Sequence, residues 1–174
     1  MLRTHITAAI ADPGGEIYVA EDDSNGTKEI VGVATWHGPG SAFLSTEAQR
    51  VDWDPMYAEL DQPSKDFWDK FLPMYAEYTT RAFGEGVKLA GYHLQALGVH
   101  PTHWQRGIGR ALIKIGEEKA KAEKVCCCIE TVGHTAITFY ARVGYEVKKP
   151  MLYCHVDDPE NANVPMYGLI KHFS

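Results

Sequence analysis

One stretch of the sequence, from Leu94 to Leu112, constrains the fold more than any other. It begins with an apolar run, Leu94 to Val99, which predicts a buried strand, and from Arg106 onward its apolar residues recur at helical spacing. The first N–H groups of a helix have no partner inside it, and their partial positive charge favours a phosphate. A strand followed by a short loop and a helix therefore predicts an anion site at the loop.

Two glycines and two arginines strengthen this prediction. Gly107 and Gly109 carry no Cβ, so a phosphate can approach the backbone closely, while Arg106 and Arg110 add positive charge. The P-loop pattern G-x-x-x-x-G-K-[ST] is absent, and a dinucleotide-binding turn would need a third glycine where Leu112 stands. The alternative is an ordinary strand-to-helix turn, in which the glycines only permit close packing.

Two segments together carry a family resemblance. Residues 104–109 read W-Q-R-G-I-G, and Ile137 to Glu146 reads as a short helix bearing Phe-Tyr, followed by Gly-Tyr entering a strand. The first segment resembles the pyrophosphate loop, [Q/R]-x-x-G-x-[G/A], of the Gcn5-related N-acetyltransferases (GNAT). The second resembles that family's short Phe-Tyr helix, which is followed by Gly-Phe or Gly-Tyr at the start of a strand. The two segments stand in the same order as in the family. The departure is Trp104, where the family usually has Gln or Arg. The resemblance covers about residues 16–172 and extends to fungal small-molecule acetyltransferases.

The resemblance implies a single N-acetyltransferase domain over residues 1–174, with the α/β GNAT acyl-CoA N-acyltransferase fold. Its sheet is expected to be mixed, mostly antiparallel and flanked by helices. Glu16 to Ala20 and Ile30 to Trp36 predict an antiparallel hairpin joined around Asn25-Gly26. The family places a strand and one or two helices before this hairpin, whereas only about one predicted helix precedes it here. Either the first strand is missing from this sequence, or this member is shortened at its N-terminus.

A long aromatic segment, from Ala42 to Ala90, separates the hairpin from the central strand. Within it we predict a helix capped by Ser64 and ended by Pro73, then a second helix that stops at Gly84. In fungal-type relatives such an insertion lies between the third and fourth strands, and its aromatics are candidates to line an acceptor pocket. The alternative is that they only cover the sheet. The candidate lining residues are Phe67, Trp68, Tyr75 and Tyr78.

Composition narrows the partners and the compartment. The net charge of −6 argues against nucleic acid as a bulk partner, because such binding depends on cationic neutralisation of phosphates. No apolar run approaches the ~20 residues that span a bilayer, so no membrane association is expected. Cys126, Cys127 and Cys128 alternate across a predicted strand, which favours small apolar filling over a disulfide framework or metal clamp. We expect a cytoplasmic, or else nuclear, protein that is a monomer or a homodimer.

The resemblance implies acetyl-CoA as cosubstrate, no metal, and direct attack of a primary amine on the thioester. No enzyme nucleophile is then needed, which fits the absence of an elbow-like serine or cysteine. Tyr140 matches the family's tyrosine beside the CoA sulfur, an acid for the leaving thiolate. The alternative for Tyr140 is an aromatic that packs on the sheet.

His93 is the first candidate for the general base. His93 lies eleven residues before Trp104, the first residue of the loop motif. Arylalkylamine-type relatives carry a histidine at this spacing and another two residues later, at the position of Gln95 here. Histone-type relatives carry a glutamate at the first of these positions. Glu130, at the end of the neighbouring strand, is the reserve base. The period of two predicts that His93, Gln95, Leu97 and Val99 share one face. A hydrogen-bonded core histidine and an exposed strand-end carboxylate are the alternatives.

The resemblance also implies which residues contact CoA. They are Leu97, Gly98, Val99, Trp104, Gln105, Arg106, Gly107, Ile108, Gly109, Arg110, His134 and Tyr140. The expected activity is N-acetylation of a small-molecule amine. A non-catalytic CoA-binding module and an acyltransferase that uses a longer acyl-CoA are the alternatives, because fold alone does not prove function.

Overall fold

The computed structural model of the protein describes residues 2–24, 26–158 and 160–173. Asn25 of the expected Asn25-Gly26 turn lies outside this range. None of the helices in these segments has the length and apolarity needed to cross a membrane. The elements, in chain order, are α1 (Leu2–Ala11), β1 (Gly15–Asp22), β2 (Glu29–His37), α2 (Trp53–Glu59), α3 (Gln62–Phe83), α4 (Val87–Ala90), β3 (Tyr92–Val99), α5 (Ile108–Glu123), β4 (Cys127–Val132), α6 (His134–Arg142), β5 (Glu146–Val147), β6 (Met151–Tyr153) and β7 (Val164–Lys171).

The strands form one mixed sheet in the order β1-β2-β3-β4-β7-β5, and β6 also pairs with β7. Among the described strands β3 and β4 are the one parallel pair, and every other pairing is antiparallel. The predicted hairpin of β1 and β2 and the predicted mixed, mostly antiparallel sheet are both confirmed. One helix, α1, precedes the hairpin, as the sequence suggested.

The two faces of the sheet are covered differently. On one face, α5 and α6 cover the main apolar core. Here α5 lies so close to β2 that a Cβ on Gly116 would come within 2.5 Å of the Trp36 ring. On the other face, Cys126 and Cys128 pack with Phe83 from α3. Cys127 belongs to the first core, so the predicted alternation of the three cysteines is confirmed.

The predicted helix break at Pro73 is wrong, because α3 runs unbroken from Gln62 to Phe83 with this proline inside it. Its N-cap is Asp61, whose side chain accepts a hydrogen bond from the Ser64 N–H at 3.0 Å, so Ser64 is not the cap. An internal proline costs a helix about 3 kcal/mol. Aromatic residues spaced three and four apart on both sides of Pro73 pack on one another, and this burial outweighs the local penalty.

A β-bulge in β3 overturns the prediction that His93, Gln95, Leu97 and Val99 share a face. Thr35 of β2 pairs with Ala96 and Trp36 pairs with Leu94, so Gln95 is an extra residue with no partner on β2. An inserted residue reverses the alternation of side chains beyond it. His93 therefore lies on the face covered by α3 and α4, whereas Leu97 packs against the core under α5. The bulge has no signature in a single sequence.

Candidate active site

The central feature of the site is a gap between the two parallel strands. β3 and β4 pair over three rungs, from Tyr92 with Cys127 to Leu94 with Ile129. Beyond them β3 stays paired with β2 as far as Val99, and β4 stays paired with β7 as far as Val132. Each strand thus keeps its outer neighbour while the two part from each other.

The backbone of β3 presents unpaired groups toward this gap. The His100 N–H donates to the Val31 carbonyl at 2.8 Å, so these two residues form a hydrogen-bonded antiparallel pair. Alternate residues direct their backbone groups to opposite edges of a strand. Leu97 and Val99 therefore direct theirs away from β2 and into the gap, where an extended ligand can bond to them. The indole N–H of Trp104 already donates to the Val99 carbonyl at 2.7 Å.

The loop after β3 leads directly to the N-terminus of α5. Gln105 and Gly107 both adopt positive φ, 63° and 82°, and Gly107 is the N-cap of the helix. A Cβ placed on Gly107 would meet no atom within 4 Å, so the space in front of the helix N-terminus is open. The predicted anion site therefore has free N–H groups and room for a ligand. The helix begins at Ile108, two residues later than the sequence indicated.

A carboxylate from β1 lies against this loop. Asp22 Oδ2 is 3.0 Å from His103 Nε2 and 3.4 Å from an Arg106 guanidinium nitrogen. Hydrogen bonds from Ser24, then from His103, lower the pKa of Asp22 to about 2. The carboxylate is therefore ionised at neutral pH and competes with any phosphate for Arg106. Arg110, on the first turn of α5, is exposed.

Helix α6 brings the predicted acid to the same face as this loop. Phe139 approaches α5 so closely that its ring would lie 3.4 Å from a Cβ on Gly109. Tyr140 is buried beside Tyr145, with ring centroids 5.9 Å apart. Burial raises the pKa of Tyr140 to about 12, so its hydroxyl stays protonated at neutral pH. His134, the first residue of α6, is exposed.

On the opposite face, the two candidate bases form one cluster with a lysine. His93 Nε2 is 2.7 Å from Glu130 Oε2, and the Lys88 ammonium is 2.9 Å from Glu130 Oε1. Lys88 also donates to the Tyr75 hydroxyl and lies 4.6 Å from the centroid of that ring. Sequence reasoning missed Lys88, since nothing in the four-residue helix α4 marks it. The structure brings His93 and Glu130 together, so Glu130 is not the exposed carboxylate considered above.

Burial and charge set the protonation states of this cluster. Burial, and then the positive charge of Lys88, lower the pKa of His93 to about 4, against the opposing effect of Glu130. Burial alone would raise the pKa of Glu130, but the positive charges of His93, when protonated, and of Lys88 hold it below its ordinary value. At neutral pH the imidazole is therefore neutral and the carboxylate ionised. Since an ionised carboxylate only accepts, His93 Nε2 carries the hydrogen and Nδ1 the lone pair.

A second buried histidine lies beside His93 and was also missed. His37 is its cross-strand partner on β2, and His37 Nδ1 is 2.8 Å from Asp12 Oδ2. Asp12 in turn accepts a hydrogen bond from the Ser41 hydroxyl at 2.6 Å. The pair Asp12–His37 holds that ring in place next to the cluster.

The four aromatics predicted to line an acceptor pocket have three different environments. Phe67 and Trp68 pack on each other, beside Tyr153 and Trp53 respectively. Tyr75 contacts Lys88 and so belongs to the His93–Glu130 cluster. The Tyr78 side chain is buried, and its hydroxyl accepts from the Gly168 N–H and donates to the Lys149 carbonyl. These bonds give Tyr78 a structural role.

The fold and its parted central strands define the class of protein: this is the acyl-CoA N-acyltransferase fold. Residues 74–147, which run from α3 to β5, match the family model for the "Acetyltransferase (GNAT) domain". Over this part of its length the chain resembles the Gcn5-related N-acetyltransferases.

Solved structures share this fold at low sequence identity. A mosquito arylalkylamine N-acetyltransferase-like 5b protein is 18% identical over 90% of this chain and 74% of its own, with a TM-score of 0.59. The Drosophila melanogaster polyamine N-acetyltransferase is 15% identical over 90% and 74%, with a TM-score of 0.58. Chaetomium thermophilum Naa20, in complex with a bisubstrate analogue, is 21% identical over 99% and 82%, with a TM-score of 0.53.

The environment of Tyr78 predicts a loss of stability without its hydroxyl. Tyr78→Phe leaves the buried Gly168 N–H unpaired, so we expect the free energy of unfolding to fall by about 1–3 kcal/mol in urea denaturation. Tyr57→Phe is the matched control, because the Tyr57 hydroxyl bonds only to Asp69 at an exposed position. Equal stability of the two variants would contradict the structural role of Tyr78.

Proposed function

We propose that the protein is an acetyl-CoA-dependent N-acetyltransferase that acts on a small-molecule primary amine. The observation that carries this proposal is the parting of β3 from β4 directly beside the N-terminus of α5. The gap offers backbone groups to an extended chain, and the helix N-terminus offers N–H groups to a phosphate at its end. A pantetheine arm that ends in a pyrophosphate has this shape and chemistry.

The residues at the gap and the loop fit the two parts of CoA. In this proposal the backbone around Gly98, at Leu97 and Val99, holds the pantetheine. The N–H groups of the loop and of the first turn of α5 hold the pyrophosphate, with Arg106 and Arg110 alongside. Acetyl-CoA supplies the activated thioester. Trp104 fixes the loop against β3 through its bond to the Val99 carbonyl, and this contact stands in place of the family's usual Gln or Arg.

His93 is proposed to accept the proton of the amine. Its Nε2–H donates to Glu130, which fixes the tautomer and leaves Nδ1 free to take a proton, directly or through a water. Glu130 then acts as a positioning residue that stabilises the imidazolium. The amine attacks the thioester carbon as this proton leaves, so the chain need supply no nucleophile.

Tyr140 is proposed to return a proton to the departing thiolate. It lies on the face of the sheet opposite His93, and a gap between strands is the place where groups on both faces reach the same ligand. Its raised pKa keeps the phenol protonated until the thiolate forms. The base and the acid therefore act from opposite sides of the thioester.

The enclosure of the cluster supports a small acceptor. His93 and Glu130 lie beneath α3 and α4, and each side chain is about one-twentieth exposed. A polypeptide substrate would need an open groove leading to these groups, whereas a short alkylamine needs only a narrow passage. The arylalkylamine and polyamine acetyltransferases of the same fold fit this choice of acceptor.

A thiol-release assay with acetyl-CoA and a broad amine panel tests the function. The panel contains alkylamines, arylalkylamines, polyamines, amino-terminal peptides and histone peptides. We expect turnover with one or more small amines. Turnover of peptides alone would overturn the small-molecule acceptor, and a preference for a longer acyl-CoA would overturn the acetyl donor. Tight CoA binding with no turnover of any amine would leave a CoA-binding module.

A charge placed at the helix N-cap tests the CoA site. Asp and Asn both tolerate the positive φ of Gly107 and differ only in charge, unlike a β-branched residue, which would be strained there. We expect Gly107→Asp to bind CoA at least about tenfold more weakly than Gly107→Asn in calorimetry, because the carboxylate repels the pyrophosphate. Thermal stability serves as the control and should be no lower for Asp. Identical CoA affinities would place the pyrophosphate elsewhere.

Removing the Tyr140 hydroxyl tests the acid. Tyr140→Phe keeps the buried ring, so we expect kcat to fall by roughly ten- to a thousand-fold with acetyl-CoA affinity almost unchanged. Tyr145→Phe, in the adjoining ring, is the matched control and should retain kcat. A wild-type kcat in Tyr140→Phe would remove Tyr140 from the mechanism.

The pH profile tests His93. The base works as neutral imidazole, so activity falls as pH decreases through its pKa, which burial and Lys88 hold at about 4. After correction for ionisation of the amine, we expect kcat/KM to keep its plateau well below pH 6.5. In His93→Ala this acidic limb should disappear along with most of the activity. An unaltered limb would assign the base to another group, such as Glu130.

A further inference from the structure

The Glu130 carboxylate is held in a pocket that suits a primary ammonium. The Lys88 ammonium forms an ion pair with Glu130 Oε1, donates a hydrogen bond to the Tyr75 hydroxyl and lies 4.6 Å from the centroid of the Tyr75 ring. A carboxylate and a hydroxyl, both of which accept hydrogen bonds, are groups that recognise a primary alkylammonium ion in proteins. Here that ion is supplied by the chain itself.

The fit of Lys88 in this pocket is incomplete. Glu130 Oε1 is buried and lies 2.9 Å from Lys88 Nζ, but the two groups are poorly aligned for a hydrogen bond. The contact is thus an ion pair with poor hydrogen-bond alignment. A carboxylate oxygen in such a contact retains the capacity to accept a better-aligned bond from another ammonium.

Glu130 lies at the end of the gap and contacts the proposed base. Glu130 follows directly after Ile129, the last residue of β4 paired with β3, so its carboxylate is at the closed end of the gap. Its other oxygen is bonded to His93, the proposed base. The side chain of Lys88 is 25% exposed and that of Glu130 is 6% exposed. Lys88 is therefore the more solvent-accessible partner of the ion pair.

We propose that Glu130 and Tyr75 form the ammonium subsite for the acceptor, and that Lys88 fills this subsite as an internal competitor until the acceptor displaces it. The acceptor's identity rests on the proposed function, whereas the subsite rests on the geometry of this cluster alone. Lys88 thereby sets specificity: it keeps the buried carboxylate paired in the free protein and admits only amines that bind better than its own side chain.

Displacement of Lys88 requires rotation of its side chain and no movement of α4. The backbone of α4 is held by a hydrogen bond from the Gly40 N–H to the Leu89 carbonyl at 2.8 Å. Gly91, at its C-terminal end, lies so close to Cys126 that an added Cβ would come within 2.7 Å of the Cys126 carbonyl oxygen. A lysine carries its ammonium on a flexible four-carbon stem, so the charge can swing out to solvent above a fixed backbone.

Rescue of a truncated lysine tests the subsite directly. Lys88→Ala lacks three carbons and the ammonium, which n-propylammonium replaces. In the presence of a few times its Kd of n-propylammonium chloride, we expect the Tm of Lys88→Ala to rise saturably by about 2–4 °C more than in sodium chloride of equal ionic strength. Tetramethylammonium, which has no N–H, should give no such rise. The wild type, in which Lys88 competes for the subsite, should show a much smaller rise, and Lys88→Ala/Glu130→Gln should respond to n-propylammonium as to sodium chloride. A rise of the same size in all three proteins, or in none, would overturn the proposal.

Kinetics with variants that keep the lysine stem provide the second test, which also applies if Lys88→Ala does not fold. Lys88→Met retains packing on Tyr75 without the charge. If Lys88 fills the subsite nine times in ten, its removal lowers KM for a primary amine by about tenfold, because only a tenth of the wild type is competent to bind. Lys88→Arg, which keeps a cation, should not lower KM. An unchanged or raised KM in Lys88→Met would overturn the proposal.

The two tests separate the subsite from the function. Rescue by n-propylammonium without turnover of any amine would support the subsite and overturn the acetyltransferase activity. Turnover by the wild type without rescue and without a lower KM in Lys88→Met would support the activity and overturn the subsite.

Discussion

The separation of β3 from β4 after Leu94 and Ile129 is the constraint on which the rest of the site depends. In a complete sheet the backbone groups of the two strands would satisfy each other, whereas here the inward groups of Leu97 and the inward N–H of Val99 are left for another partner, and the Val99 carbonyl accepts from Trp104. The bulge at Gln95 turns the strand at the same place and moves Leu97 to the face under α5. Because each strand keeps its outer neighbour, the gap persists without unravelling the sheet.

The charged cluster at the closed end of the gap is a poor way to stabilise a core. A buried ion pair often contributes no more stability than apolar side chains of similar volume, while loss of one partner leaves a buried charge that costs about 3–5 kcal/mol. Its neighbours Cys128 and Ile170 show that apolar residues fit this face of the sheet. Stability alone therefore does not explain Glu130, His93 and Lys88 at this position. A role in binding an ammonium ion or transferring a proton explains them better.

Helix α3 explains why the cluster is enclosed. Its aromatic residues pack along one side through Pro73, and the Tyr78 hydroxyl ties the helix to β7 at Gly168. Tyr75, one turn earlier, then lies against Lys88. Because the helix is fixed in this way, the Lys88 side chain is the part above Glu130 that can move. An amine then reaches Glu130 only by competing with Lys88 for the carboxylate.

The sequence by itself determined the parts of the fold that local patterns encode. The apolar run before residue 100, the glycines at 107 and 109 and the Phe-Tyr helix at Tyr140 were enough to predict the strand, the helix N-terminus and the family resemblance, because each is a short-range pattern. Only the tertiary structure decided which side chains meet. The bulge at Gln95 depends on pairing with β2, the continuity of α3 depends on burial of its aromatics, and the contact of Lys88 with Glu130 joins residues 42 positions apart. No local pattern carries such contacts, since they arise when separate elements pack on one sheet.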